Sequence, residues 1–332
     1  MATVTETQPG RERSIVLPYW LDRPAEEAVD IAVTAARAGF DRLWIGEMAT
    51  FDAFALATAI GLRAPRLQLR VGPIAIGVRS PVAIALGVSS VATLTGNRVD
   101  VALGASSPAI VSGWHDRPWQ SLARRMRETV TVLRALLAGE RADFDGTVVR
   151  THGFRLQCPV PAAAITVAAF GPVMTRAAAE VADEVVLNLV TPEHVAAVRA
   201  TIDAAARAAG RRPPRLAVWL PVALDPGPAT RRQLASQIAV YLRPPGYGEM
   251  FTALGFGALV EQARMGRPRN ELAEDVPREL LAAVGAIGSV AEIEARLGAY
   301  HDAGADDAAL VPATAEDPEA RRISATLSPR PT

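Results

Sequence analysis

The chain reads as a single α/β domain, a (β/α)8 TIM barrel with insertions. Three observations predict it. Apolar strand-like runs alternate with helical patterns from end to end, and they number eight. The 332 residues suit such a barrel with insertions, and no shift in composition marks a place to divide it. An open doubly wound sheet is the competing architecture, but no G-x-G-x-x-G follows the first strand.

The first candidate strand, Ile15–Trp20, follows a tail over 1–13 that is expected to be flexible, and a helix then runs from Pro24 to Ala38 with proline near its start. Asp41–Gly46 and a helix near Ala53–Leu62 form the second unit, Leu67–Ile76 and Pro81–Leu94 the third, and Val99–Leu103 with a helix from Ser121 to Leu137 the fourth. Phe144–Leu156 reads as an added hairpin around Asp145-Gly146. Ile165–Ala169, Glu184–Leu189 and Leu216–Leu224 are the next strands, with helices opening at Pro172, Pro192 and Pro228. A lid-like insertion at about 241–286 is rich in proline, glycine and aromatics. Helix Ser289–Ala303 and strand Ala308–Val311 close the barrel domain, 14–312, and the polar tail 313–332 is expected to be loosely held.

Composition removes several function classes. The formal net charge is zero and no basic stripe is present, which argues against nucleic acid as a partner. All 35 basic residues are arginine. Without lysine there is no Schiff base, no pyridoxal-phosphate lysine and no Walker-A loop. Cys158 is the only cysteine, so an intrachain disulfide is impossible and a reducing compartment is expected. The first residues lack the apolar stretch of a signal peptide, and no apolar run is long enough to span a bilayer. The expected location is the cytoplasm, with no membrane partner.

In such a barrel, chemistry sits at the carboxyl ends of the strands. The tips here are small or apolar: Pro18-Tyr19-Trp20, Gly46-Glu47-Met48, Gly72-Pro73-Ile74, Gly104-Ala105-Ser106-Ser107, Phe170-Gly171-Pro172 and Asn188-Leu189-Val190. They suit a broad aromatic cofactor held by backbone amides. Gly171-Pro172 would open a helix whose free N–H groups can hold a phosphate, or it is simply a tight strand-to-helix turn. The four histidines are far apart, with no HExxH or Cys/His cluster, so no metal site is expected. No G-x-S-x-G marks a serine nucleophile, and a glycosidase would need a second facing acid beside Glu47. Glu47 is a candidate acid or a structural partner for an arginine. His115 is a candidate acid or a loop residue packed beside Trp114. His152, His194 and His301 read as surface or helix-flank residues. Tyr241, Tyr247 and Phe251 would form a lid or the insertion's own small core.

At these residues the chain resembles the luciferase-like monooxygenase superfamily, and within it the actinobacterial oxidoreductases that use coenzyme F420. RSPVAIALGVSSVATLTGNRVDVALGASSP (79–108), GWHDRPWQSLARRMRETVTVLRALLAGE (113–140), AAFGPVMTRAAAEVADEVVLNLVTPE (168–193) and YLRPPGYGEMFTALGF (241–256) carry the resemblance. It implies F420 lying over the barrel mouth, with FMN as the alternative cofactor. Gly72, Pro73 and Ile74 would support the ring from a bulge with a cis peptide, which proline at this position makes accessible. Gly104, Ala105 and Ser106 would line the ring and ribityl chain. Gly171, Pro172, Val173 and Asn188 would take the phosphate side. Val173 stands where many relatives carry lysine, so anchoring would fall to Arg176, Arg79 or the backbone. The turn Ala105-Ser106-Ser107 lacks the acid of the family's sugar-phosphate dehydrogenases, so the resemblance does not extend to that activity.

The implied chemistry is hydride transfer between the deazaflavin C5 and a C=C, C=N or carbonyl of a small organic substrate. Glu47, Tyr19 and His115 are the candidates for moving the proton. An FMN-dependent monooxygenase and a non-catalytic deazaflavin or metabolite binder are the alternatives, and many relatives form a homodimer.

Overall fold

The computed structural model describes residues 11–20, 22–47 and 49–329. Strand β1 (Glu12–Val16) leads to α1 (Glu27–Ala38), β2 (Arg42–Ile45) to α2 (Ala53–Arg63), and β3 (Gln68–Ala75) to α3 (Pro81–Thr95). Strand β4 (Val99–Gly104) passes through a π-helical turn, Ala109–Trp114, to α4 (Leu122–Leu137). The hairpin β5 (Arg141–Asp145) and β6 (Arg150–Arg155) follows. Then come β7 (Ile165–Ala168), α5 (Pro172–Val181), β8 (Glu184–Asn188), α6 (Pro192–Ala208), β9 (Arg215–Leu224) and α7 (Pro228–Tyr241). Four short helices, α8 (Tyr247–Phe251), α9 (Gly257–Arg264), α10 (Arg269–Glu274) and α11 (Arg278–Val284), form the insertion. The chain ends with β10 (Ala286–Gly288), α12 (Val290–Asp302), β11 (Asp307–Pro312) and α13 (Arg321–Leu327).

Eight parallel strands close on themselves in the order β1, β2, β3, β4, β7, β8, β9, β11, with β11 returning to β1. Short β10 pairs with the far end of β9, where Ala286 sits opposite Val222. The alternation along each strand explains closure. Ile15, Leu43, Leu69, Val101, Val167 and Val218 pack outward among the helices, while Val16, Trp44, Ala102, Val186 and Ala309 face in.

The deep interior is polar as well as apolar. Arg70 Nη1 donates to Glu184 at 2.8 Å and to Asp307 at 3.3 Å, and the Ser14 hydroxyl donates to Asp307 at 2.7 Å. Thr166 donates to Glu184 at 3.1 Å, and Trp44 Nε1 donates to Ser14 Oγ at 2.9 Å. Arg70 also lies over the Trp44 ring at 4.7 Å. Burial pushes the Glu184 carboxyl above the ordinary carboxylate range. Above this network the inward positions become small, at Gly46, Gly104 and Ala168, so the barrel is filled below and shallow at its carboxyl mouth.

Three sequence expectations are corrected. Residues 1–10 of the N-terminal segment lie outside the description, but Glu12 and Arg13 belong to β1, in register with Asp307 and Ala308. Strand β1 ends at Val16, earlier than expected, because Pro18 has no N–H for the ladder. The segment from 313 is held, not loose: Thr314, Ala320, Ser324 and Leu327 are fully buried. It is tied to α1 through Glu27, whose carboxylate accepts from Glu319 N at 2.9 Å. Ala320, Ile323 and Leu327 join the main core, so polar composition misled where the few large apolar residues point inward.

Candidate active site

The floor of the mouth is built by β3, β4 and β7. The Gly72–Pro73 peptide is cis, as the sequence predicts, and the β3–β4 register shifts between Val71 and Ile74. Gly72 has φ 128°, and a Cβ there would fall 2.1 Å from the Ala102 carbonyl oxygen. Only glycine fits. A Cβ on Gly104 would sit 3.1 Å from Pro73 Cβ and 3.9 Å from Ala168 Cβ, so these three residues form one close-set patch. Ile74 is fully buried behind it. Trp119 Nε1 donates to the Ala105 carbonyl at 3.0 Å and fixes the turn, while exposed Ser106 adopts φ 57°.

Helix α5 opens beside this patch. Its N-cap Gly171 has φ −82° and ψ 162°, a region open to any residue, and the helix start has no side-chain cap. An added Cβ at Gly171 would meet nothing within 4 Å. A tight turn therefore does not require this glycine. The first-turn N–H groups and the positive end of the helix face outward, with Pro172 and Arg176 exposed beside them and Val173 59% exposed.

An aromatic wall stands on the other side. Phe170 stacks on His194 at 5.1 Å and meets Tyr247 at a tilt at 4.2 Å, and Tyr247 meets Tyr241 edge-on at 4.9 Å. The Asn188 side chain is in polar contact with the hydroxyls of both tyrosines. Trp219 lies one strand from Asn188, in direct register, and packs edge-on against Trp44 at 5.6 Å. The Tyr19 hydroxyl is buried and reaches over Gly46, where an added Cβ would be 2.6 Å from it. Burial, then the charge of Glu47 and the proximity of Tyr241, push the Tyr19 phenol far above its ordinary value. It is a neutral O–H donor at any physiological pH. Burial likewise keeps His194 neutral by lowering its pKa.

Glu47 takes its structural alternative in this arrangement. Its carboxylate pairs with the Arg79 guanidinium, which also binds Asp52, and accepts from Ala53 N at 3.4 Å. Arg79 is thereby committed to the β2–α2 turn and to the face of Phe54 at 5.5 Å. It is removed from the anchoring candidates. His115 is exposed on the loop after β4, while Tyr19 and Glu47 stand together at the tips of β1 and β2. Among the described residues no group of three or more His, Cys, Asp or Glu is placed to hold a metal ion.

The family model of the luciferase-like monooxygenases matches residues 2–307. The chain belongs to that family. Membership places this luciferase-like protein among the oxidoreductases. A putative coenzyme F420-dependent oxidoreductase of Mycobacterium tuberculosis is 23% identical over 329 residues, covering 89% of this chain and 93% of that protein. Among solved structures, the coenzyme F420-dependent tetrahydromethanopterin reductase of Methanopyrus kandleri superposes with a TM-score of 0.82 at 17% identity, covering 95% of this chain and 97% of that one. The FMN complex of the oxygenating constituent of 3,6-diketocamphane monooxygenase from Pseudomonas putida reaches 0.69 at 18% identity, covering 96% and 97%. At these identities the structural likenesses establish the fold and leave the chemistry to the site.

Sequence reasoning missed two parts of this luciferase-like mouth. His194 was expected on a helix flank, yet it is half-buried against Phe170, with Nε2 buried and unpartnered. Its position just inside the N-terminus of α6, at a strand tip, was the available signal. Trp219 sits mid-strand, and nothing local distinguishes it from core. The lid expectation divides: Tyr241 and Tyr247 join the mouth, whereas Phe251 is fully buried within the insertion.

Proposed function

We propose that the chain is an F420-dependent oxidoreductase transferring a hydride between the deazaflavin C5 and an electron-poor C=C, C=N or carbonyl of a small organic substrate. The observation that carries this reading is the pairing of a close-set, glycine-lined floor with an uncapped helix start. Pro73, Gly104 and Ala168 offer an apolar patch for a tricyclic ring. The α5 terminus at Gly171 offers N–H groups to a phosphate, with room for close approach. A whole-length relative described as F420-dependent supports the choice of deazaflavin.

When bound, the reduced deazaflavin supplies a hydride, and the protein supplies orientation and a dry pocket. Residues 72–74 and 104–106 would hold the ring, Gly171, Pro172 and Val173 with Arg176 the phosphate side, and Asn188 the edge next to the lid. Tyr19 is the donor we assign to the matching proton, because its hydroxyl is neutral, buried and free. Glu47 is assigned to holding the mouth through Arg79.

An FMN-dependent monooxygenase is the second reading, favoured by the FMN-bound neighbour on the same barrel. Titrating the apoprotein with oxidised F420 and separately with FMN, by ring fluorescence, decides between them. Tight binding of F420 alone is expected. Tight binding of FMN alone would transfer the chain to the oxygen-using branch, and binding of neither would leave the two turns as barrel architecture only.

A further inference from the structure

Among the described residues other than glycine that hold a positive φ, Leu189 alone is large and apolar, at φ 53°. The left-handed region is costly for a bulky side chain and persists where the surroundings over-determine it. Leu189 follows Asn188 at the tip of β8, and its side chain is fully buried in the inner cluster that also holds Trp44 and Ala217. Its N–H donates to the Trp219 carbonyl of β9 at 3.4 Å. On the far side, the hydroxyl of fully buried Tyr300, on α12, donates to the Val190 carbonyl at 2.6 Å. Thr191 then caps α6, its hydroxyl accepting from His194 N at 3.3 Å. The turn from β8 to α6 is therefore gripped on both sides of its strained residue.

A glycine at 189 would make this turn without strain, and it would also let the turn relax. Leucine, seated in the core, gives the preceding residue a fixed direction. That residue is Asn188, whose side chain is in polar contact with the hydroxyls of Tyr241 and Tyr247. Tyr241 ends α7 and Tyr247 opens α8, so Asn188 ties β8 to the start of the insertion. Tyr247 carries the tie on to Phe170, 4.2 Å away beside the start of α5.

We propose that Leu189 and Tyr300 are positioning residues for the mouth. Tyr300 holds the strained turn through the Val190 carbonyl, Leu189 thereby fixes the Asn188 side chain on Tyr241 and Tyr247, and the insertion is kept closed on the barrel. The inference goes beyond the hydride-transfer reading, because it requires no particular cofactor or substrate.

Hydrogen exchange of the purified chain over residues 241–251, read beside the barrel strands, tests it. Tyr300→Phe is expected to speed exchange of that segment by about five- to tenfold, the scale of one hydrogen bond, while the strands keep their protection. Asn188→Ala should act alike, and adding Tyr300→Phe to it should contribute less than about twofold, because the first change has removed what the second acts through. Leu189→Gly should unfold at higher urea than Leu189→Ala, since both truncate the side chain and only glycine takes up φ 53° without strain. It should nevertheless exchange faster than Leu189→Ala over 241–251. A residue that merely supports the fold would give the more stable variant the better protected insertion. Additive effects of Tyr300→Phe and Asn188→Ala, a rise spread evenly over the barrel strands, or slower exchange with Leu189→Gly than with Leu189→Ala would overturn the proposal. If the Leu189 variants fail to fold, the Tyr300–Asn188 cycle alone decides.

Discussion

Tyr19 and Gly171 make opposite kinds of residue-scale argument. Tyr19 is defined by what surrounds it: burial and the nearby Glu47 hold its proton, and its hydroxyl lacks a partner. Tyr19→Phe should lower turnover by about a hundredfold while F420 affinity holds, since a positioned proton donor is worth that much. Steady-state rates beside a fluorescence titration check both halves, and unchanged turnover would dismiss Tyr19 from the reaction. Gly171 is defined by empty space. Because a Cβ there meets nothing and the backbone is in an ordinary region, Gly171→Ala should leave the melting temperature unaltered. F420 affinity should fall about tenfold, or about 1.4 kcal/mol. A loss of thermal stability with full affinity would make it a folding residue instead.

At the scale of elements, the closing helix α13 and the segment before it are tied to α1 by the Glu27 carboxylate. Burial raises the Glu27 pKa, but hydrogen bonds from Arg23, Glu319 N and Thr314 outweigh it and leave the group below the ordinary carboxylate range. Its contribution is therefore present above the unfolded carboxylate pKa and is lost as pH falls through the lower folded value. Hydrogen exchange should show residues 313–327 losing protection in acid before the barrel strands do. Glu27→Gln should produce the same local loosening at neutral pH. Helices α2 and α3 present a different feature. The fifteen residues of α3 include no charged side chain, and Leu62, Leu86 and Leu94 are 64%, 46% and 66% exposed. Its exposed positions, Ala83, Leu86, Ser90, Thr93 and Leu94, carry no charge and include two large apolar side chains, a surface suited to being covered. We propose that a second copy of the chain covers the α3 face, since an uncharged helix surface is compatible with itself across a two-fold axis. Leu86→Glu with Leu94→Glu should convert a dimer to a monomer by light scattering, and an unaltered mass would reject that interface.

For the whole molecule, barrel closure depends on a polar centre. Arg70 on β3 binds Glu184 on β8 and Asp307 on β11, and Asp307 accepts from Ser14 on β1. These contacts cross the barrel interior and seat Trp44, against which Trp219 packs. Arg70→Met would remove the guanidinium shared by two buried carboxylates, leaving Asp307 without a paired cation and Glu184 with only Arg215 at 3.5 Å, and should cost about 3–5 kcal/mol in urea unfolding. Adding Glu184→Leu to that variant should recover part of the loss. A cost near zero for Arg70→Met would mean that barrel closure does not depend on this guanidinium.

Strand–helix alternation, the cis proline and the strand-tip candidates were legible because each has a local cause. Apolar period, proline chemistry and glycine at a close approach are properties of neighbours in sequence. Gly72, Pro73, Gly104 and Gly171 stand at strand tips legible in this way, whereas the cis bond at Gly72–Pro73 was expected from the family resemblance together with proline chemistry. What the tertiary structure alone decided was how side chains from distant strands meet. Closure brought Arg79 to Glu47 and gave that acid a structural partner. It also stacked His194 on Phe170, buried the polar segment after 312, and set Trp219 beside Asn188. Such pairings depend on barrel register, which no local window contains. The sequence determined which backbone could form a barrel mouth, and burial at that mouth decided which of its polar atoms remained without partners.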